Sequence, residues 1–376
     1  MSVYLDNAAT TAVAPEVVES MIPVLRDSYG NPSSSHAIGR KSRVIIEQSR
    51  RAIARHLQCH AKTIYFTSGG TEADNLALRS AVRDLKCQRI ITSAAEHSAV
   101  IKTAESLARS EGIVLELVNH FSDGTVDLEH LSALLSSGPK TLVSLMHANN
   151  EVGVLQDLDR IGTLCKEHGA LFHSDTVQTM CHYPFDLSKL PIDFVTCSAH
   201  KFHGPKGIGF LYIAEGLNVG GQIEGGSQER AVRAGTESIH SIVGLAKAME
   251  MAYRDLNEHE RHIRALKAQM VTGLKSLFSD IRFNGNSDDS SRLYTVLNVS
   301  FPPHPKNGMA LFLLDLEGVA CSGGSACSSG AVLGSHVLRA LQFHDSERAS
   351  LRFSFGRYTT EADIDEALVA IEKVFA

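Results

Sequence analysis

Phe194-Val195-Thr196-Cys197-Ser198-Ala199-His200-Lys201-Phe202-His203-Gly204-Pro205-Lys206-Gly207 begins as an apolar run of strand length and ends in a Gly/Pro turn, with a lysine between the two. Outward from it the same pattern recurs. Residues 63–66, 89–92, 113–118, 141–146, 170–174 and 207–213 also read as strands. Amphipathic stretches at 71–82, 97–109, 128–135 and 158–168 read as helices between them. Strands alternating with helices predict a mainly parallel sheet covered on both faces. A charged, proline-free stretch at 238–277 reads as one long helical connector. Beyond it, 296–299 and 351–355 read as strands and 309–316 and 361–375 as helices, which predicts a second lobe of α+β character.

The chain has 376 residues, more than one ordinary domain requires. A composition of 43% hydrophobic and 21% charged residues is that of a soluble globular protein. No run of eighteen apolar residues occurs, so no membrane span is expected. The start, Met-Ser-Val-Tyr-Leu-Asp-Asn, lacks the basic and long apolar segments of a signal peptide, and the cytoplasm is the expected compartment. A net charge of −6 argues against a nucleic-acid backbone as partner. Seven cysteines, an odd number, do not make a complete disulfide framework and are expected mostly reduced.

Three short segments carry the chemistry. Ser68-Gly69-Gly70-Thr71 joins a strand to a helix, and free N–H groups at a helix start form an anion site; an ordinary capped turn is the competing reading. Asp175, just beyond a strand, could hold a protonated ring nitrogen with Gln178 near a ring oxygen, or could simply cap a helix. Lys201 can form a Schiff base with an aldehyde. Two rival readings of its segment are a basic surface turn and a metal site from Cys197, His200 and His203, which are spaced by three but lack a fourth ligand nearby. Taken together, an anion cradle, a carboxylate and an amine in that order meet the needs of pyridoxal 5'-phosphate. His97, after the strand at 89–92, is placed to stack on the ring and move protons. No metal is expected.

Nine ordered motifs add to this reading: Y-L-D-N-A-A-T-T, G-N-P-S-S-x-H-x-x-G-R, S-G-G-T-E-A-D-N, E-H-S-A-V, N-N-E-V-G-V, H-S-D-T-V-Q, S-A-H-K-F-H-G-P-K-G, R-A-G-T-E and G-S-A-C-S-S. Together they resemble the cysteine desulfurase family, NifS- and IscS-like, in the class V aminotransferase branch of fold-type I pyridoxal-phosphate enzymes. The resemblance implies an α/β fold: a large domain (14–255) with a mainly parallel seven-stranded sheet, and a small domain (1–13 and 256–376) carrying the catalytic-cysteine loop. It implies that Lys201 carries the cofactor, Asp175 pairs with the ring nitrogen, and Gln178 and Asn150 address the ring and its 3′ oxygen. By the same resemblance His97 is the acid–base catalyst, and Gly70, Thr71, Ser198 and His200 hold the phosphate. Thr236 resembles a threonine that reaches the phosphate of the other subunit, which implies a homodimer. Arg352 resembles the arginine that forks onto the substrate carboxylate, helped by Asn31 and Asn150.

Cys327, within a Gly/Ser-rich segment, resembles the nucleophile that takes sulfur from L-cysteine, leaving L-alanine and a persulfide. The implied receiver is a sulfur-acceptor protein, such as an iron–sulfur scaffold or a thiolation relay protein. Cys321 departs from the pattern; it reads as a buried strand thiol or as a resolving partner for Cys327. Sister activities remain alternatives: a selenocysteine lyase, a cysteine-sulfinate desulfinase or another class V enzyme. A non-catalytic binding platform is a third.

Overall fold

The computed structural model describes residues 2–323 and 335–375. The elements in chain order are β1 (Val3–Tyr4), α1 (Pro15–Asp27), α2 (Ala37–His56), β2 (Ile64–Thr67), α3 (Gly70–Arg83), β3 (Arg89–Thr92), α4 (Ser98–Glu111), β4 (Val114–Leu117), α5 (Leu128–Leu135), β5 (Thr141–Ser144), α6 (Leu158–Glu167), β6 (Leu171–Asp175), β7 (Phe194–Ser198) and β8 (Gly209–Ile213). They continue with α7 (Ile239–Arg254), α8 (Leu256–Leu277), β9 (Arg282–Phe283), β10 (Val296–Ser300), α9 (Ala310–Leu316), β11 (Val319–Ala320), β12 (Ser322–Gly323), α10 (His336–Ala340), β13 (Ser350–Ser354) and α11 (Glu361–Phe375). No helix among the described residues is long and apolar enough to cross a membrane.

Seven strands form the large sheet in the order β2-β8-β7-β6-β5-β3-β4. Pairs β3/β4, β3/β5, β5/β6 and β6/β7 are parallel, and β8 runs antiparallel to both neighbours. Both faces are buried, which explains the continuous apolar runs. Ile90, Leu142, Phe194 and Leu211 pack beneath α3 and α4, while Ile91, Val143, Phe172, Val195 and Phe210 pack on the other face with residues of α1, α2 and α7. Alternate residues of one strand thus enter different cores, as the two-residue repeat requires.

The second sheet is antiparallel, in the order β12-β13-β10-β9. Its core joins Leu297, Val299, Leu351 and Phe353 to Ile263, Met270, Ile364 and Ile371 of α8 and α11, and to Val3 and Leu5 near the start of the chain.

Two local readings need correction. The stretch 238–277 is two helices: Asp255 leaves the helical conformation at φ −102° and ψ 11°. Its carboxylate accepts hydrogen bonds from Arg254 and, at 2.8 Å, from Arg357, so side-chain bonding wins over helix continuation. Helices α1 and α2 were not anticipated as elements.

One close approach ties the sheet to the turn that opens α3. A Cβ on Gly209 would meet the Cys197 carbonyl oxygen and lie 2.9 Å from Gly69 Cα. Gly209→Ala is therefore expected to lower stability by about 1–3 kcal/mol. Urea denaturation should show a lower midpoint at unchanged slope; an unchanged midpoint would refute the close approach.

Candidate active site

The strand ends set the geometry. In register, Thr67 and Ser198 both pair with Gly209, and Asp175 pairs with Thr196, so the ends of β2, β7 and β6 share one edge with the start of β8. Around that edge lies a cavity of about 280 Å³. Gly70, Thr71, His97, Asn150, Asp175, Gln178, Ser198, His200, Lys201 and Arg352 all line it, together with Ala8, Ala9, Asp74, Met146, Ala148 and Val177.

Lys201 closes a single 3-10 turn, Ala199–Lys201, that follows β7 directly. Its Nζ donates to the Ala8 carbonyl at 2.7 Å and the Ala9 carbonyl at 2.8 Å. The same N-terminal segment is fastened by Thr11, whose N–H donates to the His200 carbonyl at 2.9 Å, and by Gln178 Nε2, which donates to Ala8 at 3.1 Å. His200 Nδ1 lies 3.1 Å from the Thr10 hydroxyl.

Asp175 is the last residue of β6 rather than a residue beyond it, and its Oδ1 accepts the Val177 N–H at 2.9 Å. Burial pushes its carboxyl up to about 6, and the charge of Asp74 adds to that while His97 opposes it. Asp74 itself is pushed up to about 7 by burial. His97 caps α4: its Nδ1 accepts the Ala99 N–H at 3.2 Å, which places the proton of the neutral ring on Nε2. Burial lowers its basicity, Asp175 opposes that, and Lys201 and His336 add to it. Beside it, burial holds the Glu96 carboxyl well above the carboxylate range.

Helix α3 has no side-chain N-cap. Gly69, at φ +149°, takes the cap position, and Thr71 sits in the first turn instead of capping it. The helix start therefore presents backbone N–H groups and the positive end of the dipole toward Ser198 and His200. Across the cavity, Arg352 is 2% exposed within β13. Its terminal nitrogens donate to the Asn150 carbonyl at 2.9 Å and to Asp6 Oδ1 at 2.8 Å, and its Nε has no partner among the described residues.

Several candidates lie elsewhere. Asn31 is exposed, and its Oδ1 accepts the Ser33 N–H at 2.9 Å, so it does not join the cavity. Thr236 is exposed in a neighbouring cleft with Ser68 and Gly207. Cys197, His200 and His203 do not converge: Cys197 is buried inside β7, and His203 Nδ1 turns to the Ala12 carbonyl at 2.9 Å. The one group among the described residues whose possible ligand atoms lie within 4.8 Å of one another is Asp74, His97 and Asp175. Cys321 falls between β11 and β12, with its thiol pushed up to about 12 by burial. Cys327 lies outside the described residues.

These residues fit a phosphorylated pyridine aldehyde. An amine, a pair of buried carboxyls, one with an oxygen that makes no hydrogen bond, and an uncapped helix start face one cavity. The aminotransferase class-V family matches residues 3–367. Cysteine desulfurase IscS of Dictyoglomus turgidum is 39% identical over 99% of this chain and 94% of its own length. The chain belongs to the cysteine desulfurases. Among solved structures, a NifS-like protein superposes with a TM-score of 0.90 at 36% identity, covering 100% of this chain and 99% of that one. SspA, solved in complex with cysteine, superposes at 0.79 with 30% identity over 96% of this chain and 100% of its own. The desulfurases are pyridoxal-phosphate enzymes of fold type I, so the fold class read from the motifs holds.

Sequence reasoning missed two parts of this desulfurase's cavity. The carbonyls of Ala8 and Ala9 leave no side-chain signal. Asp74 did leave one: it stands four residues after Gly70 on a helix, and positions four apart share a face.

The imidazoles give a pH prediction. Burial pulls His120, His147, His173, His182, His200 and His203 each down to about 4 from 6.5. The unfolded chain then takes up more protons as pH falls, so their contribution is present above pH 6.5 and is lost toward pH 4. The raised carboxyls of Asp74, Glu96, Glu151, Asp175, Asp193 and Glu237 act with opposite sign, six against nine lowered imidazoles once His56, His97 and His259 are included. The melting temperature of the cofactor-free protein should fall between pH 6.5 and 4.5; a rise would contradict the burial of these rings.

Proposed function

We propose that this desulfurase removes sulfur from free L-cysteine, with Cys327 as the thiol that receives it. The observation that carries the reading is that Lys201 and Asp175 face one cavity beside an uncapped helix start. Pyridoxal 5'-phosphate, when bound, supplies an electron sink for the substrate carbon skeleton. Lys201 would hold it covalently through Nζ, Asp175 would pair with its ring nitrogen, and Gly70, Thr71, Ser198 and His200 would hold its phosphate. Asn150 and Gln178 lie where they can address ring substituents.

Arg352 orients the substrate. Two of its nitrogens are already committed, which fixes the guanidinium plane, and the remaining N–H groups suit the cysteine carboxylate. Lys201 Nζ takes the proton from the substrate α-carbon, and the Ala8 and Ala9 carbonyls keep that nitrogen in place. His97 Nε2 carries the proton that its ring can give or take. The Cys327 thiolate attacks the substrate sulfur; the new S–S bond forms as the C–S bond breaks, and its electron pair stays with the carbon skeleton. Cysteine and the Cys327 thiol are thereby converted to alanine and a Cys327 persulfide. An acceptor thiol then takes the outer sulfur, in iron–sulfur assembly or thiolation.

The active unit in this reading is a homodimer. Thr236 is exposed beside Ser68 and Gly207, next to the phosphate end of the cavity, where a second copy could approach it. Residues 14–255 would form the cofactor domain, and 1–13 with 256–376 the small domain; the separate core around β10 and β13 supports this. The six cysteines among the described residues are free thiols, in keeping with a cytoplasmic setting.

The test is mass spectrometry after cysteine addition. Cys327 should gain one sulfur atom while alanine accumulates. Lys201→Ala and Cys327→Ala should each lower alanine formation by about 10²–10⁴-fold or more. Alanine formation that survives Cys327→Ala would point instead to a lyase that needs no thiol acceptor.

A further inference from the structure

We propose that Asp74 is a second carboxyl of the ring-nitrogen pocket, holding a proton while the pocket lacks a cation and releasing it when a protonated pyridine ring enters. The inference rests on the functional reading above and deepens it. Asp74 acts there through Asp175, as a positioning residue.

The geometry begins with α3. The helix whose start faces the phosphate carries Asp74 one turn later, and Asp74 lines the same cavity. It is 1% exposed, and its Oδ1 makes no hydrogen bond. The nearest basic atom is His173 Nε2 at 3.5 Å. That imidazole is already engaged, with Nε2 3.1 Å from the Thr196 hydroxyl and Nδ1 2.8 Å from the Ser144 hydroxyl. Burial keeps it neutral, with its basicity pulled down to about 4.

The other charged or titratable groups facing Asp74 are Asp175 and His97, within 4.8 Å, and Glu96, whose carboxyl burial also pushes up. Lys201 directs its ammonium to the Ala8 and Ala9 carbonyls. Asp74 and Asp175 would therefore stand as two carboxylates in a dry pocket, where the nearest basic neighbour of Asp74, the His173 ring, is neutral. Like charges so close do not both ionise, and one proton stays. A pyridinium changes the balance. A cation held at Asp175 would favour ionisation of both carboxyls, so Asp74 COOH becomes COO⁻ and its proton passes to solvent. The gain is a stronger hold on the ring proton than Asp175 alone would exert, without a permanent second buried charge.

The experiment counts protons. Cofactor-free protein is titrated with pyridoxal 5'-phosphate at pH 6 by calorimetry, in two buffers of different ionisation heat. The wild type should release close to one proton more than Asp74→Asn. Its affinity should also rise with pH more steeply than that of the variant, by about tenfold per pH unit between pH 5.5 and 7. Equal proton counts would overturn the inference. Asp74→Ser serves if the asparagine variant does not fold, with thermal melting as the check. In the wild type alone, the infrared difference spectrum on cofactor binding should lose a protonated-carboxyl band; no such loss sinks the proposal whatever the variants do. Failure of the wild type to bind the cofactor would sink the functional reading as well, whereas binding with equal proton counts sinks this inference alone.

Discussion

A carboxylate at the end of a buried strand is costly, and the site is organised around that cost. Asp175 has lost its water to the sheet and to α3, and desolvation of an ion amounts to several kcal/mol unless a cation or hydrogen bonds answer it. Within the described residues the answer is incomplete: one backbone N–H at 2.9 Å, the neutral His173 ring, and His97, whose basicity burial lowers. Such a deficit favours a cationic ligand over a neutral one. Filled with an apolar side chain, the same strand end would be more stable and would bind nothing of that kind.

The N-terminal segment carries this constraint to the rest of the molecule. Asp6 accepts from Arg352 on β13 and, at 2.8 Å, from the Ser322 hydroxyl on β12. Two residues on, Ala8 and Ala9 hold Lys201, and Thr11 holds His200. Asn7 Nδ2 donates to the Ser354 carbonyl at 2.9 Å. Six residues therefore connect the amine of the large sheet to the guanidinium of the small one. This strap acts together with the apolar contact of Ala8 and Ala148 with Leu293 and Val296, and with the Arg352 bond to the Asn150 carbonyl, to set the distance between amine and arginine.

What was legible in the sequence follows from this arrangement. Strands buried on both faces are continuous apolar runs, so β2, β3, β5, β6 and β7 stood out, and their C-terminal ends marked the ligand edge. Asp175 at the end of β6, Lys201 after β7 and Gly70 after β2 could be placed for that reason. Asn31 and Thr236 could not be placed, because they lie on exposed loops whose position in one chain is set by tertiary contacts. Helix α1 buries only Val17 among its thirteen residues, which leaves a weak pattern. At the break, Asp255 bonds both its neighbour Arg254 and Arg357, a hundred residues away, and the second partner leaves no local signal. The Ala8 and Ala9 carbonyls are backbone groups and carry no residue-type signal at all.

The charges in the cavity also fix which way round a ligand lies. One end has the start of α3 with its N–H groups and positive dipole, flanked by Ser198 and His200. The other has Asp74 and Asp175. A molecule with an anionic phosphate and a cationic ring fits this polarity in one direction only. Reversed, it would set a dianion beside two carboxyls and leave the helix start facing a cation, which is unfavourable at both ends in a pocket that excludes water. The electrostatics therefore favour one orientation for such a molecule, and Lys201 Nζ, held by the Ala8 and Ala9 carbonyls, faces the cavity between those two ends.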